Sequence, residues 1–366
     1  MADLEEDNKK LIEKFGAARI SDIGELPDFY TFTNGLIYSH RDFDIYFKNL
    51  LKGEKSAIVS GFNASGTPHL GHLAVFDTNL FFQRKYGAKV YIPISDDESY
   101  VSLKVKTQEE ALQNSFKLSR AIVALGFDLN NTKLIIDELY TDIYNYAIKL
   151  SRGVTYSEIR AIYGYTHDQN IGLHFYPTVQ AAHIILPQIL DHIKNVLVPI
   201  GPDEDSHLRT CRDLAGKFGY TKPAVLHSLF MPGVDGQKMS KSRGNAIFIL
   251  DAEKEIRKKI MASFSGGATS IEEHRKIGGN PDVDIAYLYL KSYFLNHDES
   301  KQVYDDYKKG KLLSGELKNM LFEQVMKRVS DFRKAYEKVT IKDLEKVIMK
   351  NDDIDLQKLA EKAGIM

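Results

Sequence analysis

SAIVSGFNASGTPHLGHLAVFDTNLFFQRKYGAKVYIPI, residues 56–94, is the stretch that decides the fold. Ser56 to Ser60 is a short β-branched run, and Gly61 to Gly66 is a loop. A helix follows: Thr67 is placed to accept at the N-cap, and Pro68 fits the first turn, where no N–H is missed. Gly87 is placed to end that helix after Tyr86, and Val90 to Ile94 is apolar again. Strand, helix and strand in one short stretch make a βαβ unit, which implies a parallel sheet with a right-handed crossover.

The rhythm continues on the carboxyl side. Thr107 and Glu110 have capping-box spacing before a helix reaching Gly126, and Leu134 to Ile136 reads as the next buried strand. Residues 137–193 read as mostly helical and rich in Tyr and His, an insertion packed over the carboxyl edge of the sheet. Val196 to Ile200 and Ala224 to Leu226 are further strands, with a helix from about Asp205 to Phe218 between them. Past Asp251 the apolar residues take helical spacing at Tyr287 to Phe294, Gly315 to Tyr336 and Lys342 to Met349. The expected class is therefore α/β: a Rossmann-like doubly wound parallel sheet over residues 56–252, with an all-α region over 253–366. Residues 1–55 form a peripheral segment, with a helix carrying Leu11, Ile12 and Phe15.

At 366 residues the chain has room for two or three domains around a core that folds unaided. Cys211 is the one cysteine; this excludes an internal disulfide and a Cys-rich zinc site and suits a reducing compartment. Among Arg209, Arg212 and His207 it reads as inert helix filler. Met1 to Lys10 is acidic and polar, and no run approaches the length of a bilayer span, so a soluble cytoplasmic protein with no membrane partner is expected. A formal net charge of −1 leaves no nucleic-acid footprint on the molecule as a whole. Such contact falls to local patches: Lys254, Arg257, Lys258 and Lys259; Lys308, Lys309 and Lys311; Lys327, Arg328, Arg333 and Lys334. Each alone reads as a solvated helix face.

Two short strings carry the chemistry. His69-Leu70-Gly71-His72 opens the first helix beyond the first strand, where ligands of open α/β sheets sit. A helix start presents unpaired N–H groups and partial positive charge, so it favours phosphate. His69 and His72 are three apart and share a face, so both rings can donate to one anion. Gly71, lacking Cβ, lets a flat purine or ribose lie against the backbone. Lys238-Met239-Ser240-Lys241-Ser242 lies in a loop bounded by Gly233 and Gly244; lysine is a mobile point charge suited to following a departing phosphate. Together the strings make an ATP triphosphate site suited to attack at the α-phosphate with pyrophosphate leaving. Neither a dinucleotide G-x-G-x-x-G nor a P-loop is present. No carboxylate cage or resident metal site is evident, so Mg²⁺ is expected to bridge the phosphates.

These two strings resemble the HIGH and KMSKS signatures of class I aminoacyl-tRNA synthetases. Five further stretches are similar to tryptophanyl-tRNA synthetases of the archaeal and eukaryotic type: Tyr38-Ser39-His40-Arg41-Asp42, Ser95-Asp96-Asp97-Glu98, Val179-Gln180-Ala181-Ala182, Phe264-Ser265-Gly266-Gly267, and Ile271-Glu272-Glu273-His274-Arg275 running to Gly278-Gly279-Asn280 and Asp282-Val283-Asp284. The resemblance implies a Rossmann catalytic domain, a helical anticodon-reading domain and a homodimer. It implies activation of tryptophan by ATP and transfer to tRNA(Trp). Carried over by position, His69, Gly71 and His72 bind the nucleotide; Lys238, Met239, Ser240, Lys241 and Ser242 bind its phosphates; Gly201 and Asp203 meet the ribose. Glu98, Gln180 and Glu204 surround the substrate ammonium, beside Val59 and Tyr176; a buried cation must be paired. Without the resemblance, Asp96 to Glu98 read equally as decoration of a helix start; glycines 266, 267, 278 and 279 read as links between helices even with it.

Three positions depart from the family. Val59 stands where relatives carry Tyr, Pro93 where they carry Gln, and Glu204 where they carry Gln. The first two contribute in relatives to recognition of the indole N–H, so that contact is either rebuilt elsewhere, with Tyr91, His174, Tyr176 and His183 as candidates, or absent. The nearest rival is a tyrosyl-tRNA synthetase, which shares fold and motifs. From another class, a non-catalytic synthetase-derived binding or regulatory protein is disfavoured by the intact signatures, and a small-molecule nucleotidyltransferase by the helical carboxyl-terminal half and the lysine loop.

Overall fold

A computed structural model describes residues 11–66, 68–237, 239 and 243–364. The chain forms two compact units. One comprises Met1–Ser39, Pro68–Ala74 and Ser228–Lys334, the other His40–Thr67, Val75–His227 and Ala335–Met366.

The second unit is built on six parallel strands: β1 Ser56–Val59, β2 Lys89–Ser95, β3 Thr132–Ile136, β4 Asn195–Ile200, β5 Ala224–Ser228 and β6 Ile348–Met349. Their order across the sheet is β5-β4-β1-β2-β3-β6. The central strands are buried on both faces, as near-continuous Val and Ile runs require. Helix α1, Leu70–Tyr86, is the expected crossover between β1 and β2. Gly87 ends it at φ +68°, its N–H donating to the Gln83 carbonyl at 2.9 Å. The N-cap role assigned to Thr67 lies outside the described residues. The register of β1 with β2 ends at Val59 opposite Tyr91, two residues before Pro93, so on that side the N–H that Pro93 lacks falls beyond the end of β1.

Two helices follow β2: α2, Asp96–Val101, and α3, Gln108–Ala124. Thr107 caps α3 by accepting from the Glu110 N–H at 3.1 Å. The reciprocal bond differs from the capping-box expectation, because the Glu110 carboxylate accepts from the Lys106 N–H at 2.9 Å, one residue earlier. Residues 137–193 hold three helices, α4 Asp142–Ser151, α5 Tyr156–Tyr163 and α6 Ile171–Leu190; α7, Asp205–Lys217, joins β4 to β5. One core joins α4, α6 and α7 to the face of the sheet bearing Val59, Tyr91 and Ile135. Another joins α1 and α3 to the face bearing Val90, Ile92 and Leu134. Cys211 is fully buried in the first, which pushes its thiol pKa far up and leaves it the inert filler expected.

The end of the chain departs from the all-helical expectation. Helix Ile341–Val347 stops before Met349, and Ile348–Met349 pairs with Leu134 and Ile135 of β3. The exposed edge of β3 is thereby covered, and Leu344, Val347, Ile348, Leu356 and Ala360 enter the core. Residues 335–364 thus fall in the same compact unit as the sheet. Among the described residues no helix is long and apolar enough to cross a membrane.

In the first unit, helices α8 Glu253–Met261, α9 Ile271–Ile277, α10 Ile285–Tyr289, α11 His297–Lys308 and α12 Ser314–Lys338 pack around a knot of glycines. These glycines do more than link helices. A Cβ on Gly266 would stand 1.9 Å from the Asn280 carbonyl oxygen, and one on Gly267 2.1 Å from Ser314 Oγ. Asp284 ties the knot: one carboxylate oxygen accepts from the N–H groups of Ala286 and Tyr287, the other from Ser265 Oγ, the Gly266 N–H and Tyr307 Oη. His274 and Arg275, given no role above, hold the carbonyls of Leu312 and of Gly310 and Lys311. Gly278 has φ +77° and meets the Lys308 carbonyl where its Cβ would be, at 1.8 Å. Gly278→Ala is therefore expected to destabilise the protein by about 2–3 kcal/mol in chemical denaturation. Gly315→Ala, where a Cβ meets nothing within 4 Å, should be near neutral.

Candidate active site

The candidate residues fall into two sets, one in each compact unit. In the first unit the two motif strings come together through backbone pairing. The Leu70 N–H donates to the Ile247 carbonyl at 3.0 Å and the Ile249 N–H to the Pro68 carbonyl at 3.2 Å, bridging His69 and Phe248. Segment 246–249 is the exit of the lysine loop, so the helix start and the loop are stitched together at that loop's end. The loop's root is closed as well. Gly233 N–H donates to the Gln237 carbonyl at 2.6 Å, Val234 N–H to the Asn245 carbonyl at 2.9 Å, and Asn245 Nδ2 to Asp235 Oδ1 at 2.8 Å. A Cβ on Gly233 would lie 2.4 Å from Asn245 Nδ2, so this closure needs glycine. Met239 is described; the sites assigned to Lys238, Ser240, Lys241 and Ser242 lie outside the described residues.

The His69 and His72 rings stack with centroids 3.7 Å apart and 25° between planes. Each uses Nδ1 as an acceptor: His69 from the Gly71 N–H at 3.1 Å, His72 from the His69 N–H at 3.2 Å. Neutral rings bonded this way carry their proton on Nε2, an assignment that follows from the hydrogen bonds. Burial lowers the His69 pKa to about 4; burial, then the charge of His69, pulls His72 well below its usual value. Near neutral pH both rings are uncharged donors. The His69 and Gly71 N–H groups at the helix start are thus already satisfied by these rings. Gly71 earns its place by space: a Cβ there would stand 3.0 Å from the His69 ring and 3.2 Å from Met239 Sδ.

In the second unit Val59, Glu98, Tyr176, Gln180 and Glu204 stand on β1, α2, α6 and the turn before α7, at the carboxyl ends of the strands. Val59 is buried in the sheet. Tyr176 Oη and Ser95 Oγ are 2.7 Å apart. Gln180 Nε2 donates to Glu204 Oε2 at 3.1 Å, and Gln180 Oε1 is buried without a partner. Glu98 pairs with Lys104 at 3.0 Å and accepts from Asn63 Nδ2. After burial itself, Glu98 and Glu204 both raise the Tyr165 pKa, which places the two carboxylates around one phenol. Two carboxylates and an unpartnered amide oxygen make an edge suited to an ammonium group. Gly201 leads into the turn Pro202–Glu204, where Asp203 is exposed.

Some of the most strongly coupled charges were not legible beforehand. Asp205 receives Arg41 at 2.9 and 3.0 Å, Arg209 at 3.0 Å and His227 at 3.0 Å. Burial opposes its ionisation, but the bonds from His227 and Arg41 hold its pKa at about 2. Asp96 does not decorate a helix start; it accepts the Asp137 and Glu138 N–H groups at 2.8 and 3.1 Å, joining the end of β2 to the end of β3. Burial, then the charge of Asp97, raises its pKa to about 6. Burial and neighbouring carboxylates drive both Asp97 and Asp137 well above the ordinary carboxylate range.

A mostly parallel sheet, and a His-x-Gly-His helix start stitched to a lysine loop, define a class I tRNA synthetase. The family model for class I tRNA synthetases (W and Y) matches residues 51–330, and the chain belongs to that family. The tryptophan side of it is the side this chain is similar to. The tryptophan–tRNA ligase of Pyrobaculum calidifontis is 35% identical over 345 residues, covering 91% of this chain and 92% of the relative. The crystal structure of tryptophanyl-tRNA synthetase from Aeropyrum pernix superposes with a TM-score of 0.86 at 30% identity, covering 95% and 97% of the two chains. That of Encephalitozoon cuniculi, bound to tryptophan, gives 0.83 at 25% identity over 96% and 98%. The fold class and the tryptophanyl family read from the residues are borne out.

Proposed function

We propose that this chain activates tryptophan with ATP, releasing pyrophosphate, and transfers it from the adenylate to tRNA(Trp). The observation that carries the reading is the pairing of Pro68–Leu70 with residues 247–249, which holds His69, Gly71 and His72 beside the exit of the lysine loop. In this reading His69 and His72 donate Nε2–H to the nucleotide, Lys238 and Lys241 hold the phosphates with Met239, Ser240 and Ser242 around them, and Gly201 and Asp203 meet the ribose. Glu98, Gln180 and Glu204 hold the substrate ammonium. Mg²⁺ enters with ATP as the substrate's counter-ion, for the described carboxylates by the loop are engaged: Asp235 with Asn245, and Asp251 with Lys259 at 2.6 Å. Catalysis is then positioning and charge stabilisation, with no covalent nucleophile. The helices between 253 and 334 read the anticodon, and the working molecule is a cytoplasmic homodimer.

ATP–pyrophosphate exchange with each amino acid tests the reading. Exchange should depend on tryptophan, with tyrosine at background; exchange with tyrosine alone, or with neither, would refute it. Because the chain contains no Trp, the fluorescence of bound tryptophan excited beyond the tyrosine band reports binding independently of turnover.

A further inference from the structure

Val59 and Pro93 offer no side-chain acceptor, so the indole N–H of the proposed substrate must find one elsewhere. We propose that His183 is that acceptor, presenting the lone pair of Nδ1 while Asp137 fixes the ring. This rests on the tryptophan reading above.

Position is the first argument. Tyr176, Gln180 and His183 lie on α6 within about 60° of one another at 100° per residue, one face of the helix. Gln180 is at the ammonium end; His183 is about 4.5 Å further along the axis, towards Asp137 at the end of β3. Tyr176, one turn before Gln180, bonds Ser95 at the end of β2 and lies close enough to Asp97, Glu98 and Asp137 to feel their charges.

Hydrogen bonding is the second. His183 Nε2 lies 2.6 Å from Asp137 Oδ1, while Nδ1 is sealed from solvent and has no partner. Asp137 Oδ1 accepts from Nε2, so Nε2 carries the ring proton and Nδ1 is a bare acceptor, an assignment made from this contact. An unpartnered buried acceptor destabilises the fold, and a substrate N–H satisfies it on binding.

The other candidates fit less well. Tyr91 Oη is also unpartnered, but its ring packs under Lys89 and Lys133 at 5.9 and 5.3 Å, at the amino ends of the strands. His174 is rotated about 120° from Gln180 around α6 and stacks on Tyr156 at 4.9 Å. Tyr176 Oη is engaged with Ser95.

The test is exchange with tryptophan against its benzothiophene analogue, in which sulfur replaces the indole N–H. A site that bonds a substrate N–H rejects an analogue lacking it by about ten thousandfold, the ratio of kcat/KM expected for the unmodified enzyme. His183→Gln keeps a donor for Asp137 but loses the acceptor, and should bring the ratio below tenfold by losing tryptophan rather than gaining the analogue. His183→Asn, with a carboxamide oxygen near the Nδ1 position, should restore it above a hundredfold. Exchange with the analogue is the folding control. Should His183→Gln lose both substrates, Asp137→Ala, which leaves Nε2 without its acceptor and the ring free to change tautomer, is expected to collapse the ratio in its place. An undiminished ratio in the informative variant, or equal use of both substrates by the unmodified enzyme, overturns the proposal and leaves the tryptophan reading standing. No exchange with tryptophan at all would instead bring down that reading.

Discussion

Asp205→Ala is expected to cost the protein about 3–5 kcal/mol of stability in chemical denaturation, with the slope unchanged. Asp205 is 1% exposed and is the shared acceptor for Arg41, Arg209 and His227, the last fully buried. Removing the carboxylate leaves the Arg41 guanidinium, only 11% exposed, without its bidentate partner. That uncompensated charge, more than the lost bond, sets the size of the effect. Asp205→Asn keeps the shape and one acceptor, so it should fall between alanine and the unmodified chain. The pH dependence has a definite sign. The folded pKa, about 2, lies below the ordinary 3.8. The stabilisation is therefore complete above about pH 4 and lost as the pH falls through 2, a loss of about 2 kcal/mol. Asp205→Ala should flatten that limb of the acid transition. An alanine variant as stable as its parent would show the cluster to be only incidental to the fold.

What the sequence could reveal depended on whether the signal was local. The βαβ unit was legible because β-branched runs, a helix start at Pro68 and a stop at Gly87 all fall within one short stretch. Ile348–Met349 was not, since two residues of strand carry no periodicity and are recruited only by the open edge of β3. The same contrast holds in the site. His69, Gly71 and His72 announce themselves by spacing, whereas Arg41 and Asp205 are 164 residues apart and meet only in the fold. The glycines of residues 266–279 were visible but misread: composition marks a glycine, and only the neighbour that its Cβ would strike, such as the Asn280 carbonyl, says why it is there. The ring tautomers and the raised pKa values of Asp97 and Asp137 arise from burial and contact, which no linear pattern encodes.

Lys241→Ala should raise the barrier to adenylate formation by about 2–4 kcal/mol, roughly thirty- to nine-hundred-fold in exchange rate. The structure sharpens the reason. Both imidazoles at the helix start are held neutral by burial, so they offer hydrogen bonds and no net charge. Under the proposed function, charge that builds on departing pyrophosphate must then be met by the loop lysines. The loop is placed for this by the closure of its root through Asn245 and by the pairing of its exit with the helix start. Since that charge is largest in the transition state, the loss should fall on kcat, with KM for ATP changed far less. The pH profile supplies an independent check. With the His69 pKa lowered to about 4 and His72 lower than usual as well, exchange should show no imidazole titration between pH 6 and 8. An inflection near 6.5 would mean that a histidine is charged in the working enzyme. Lys241→Ala turning over at the parental rate would remove the loop from the phosphate site altogether, and with it the role assigned to the motif.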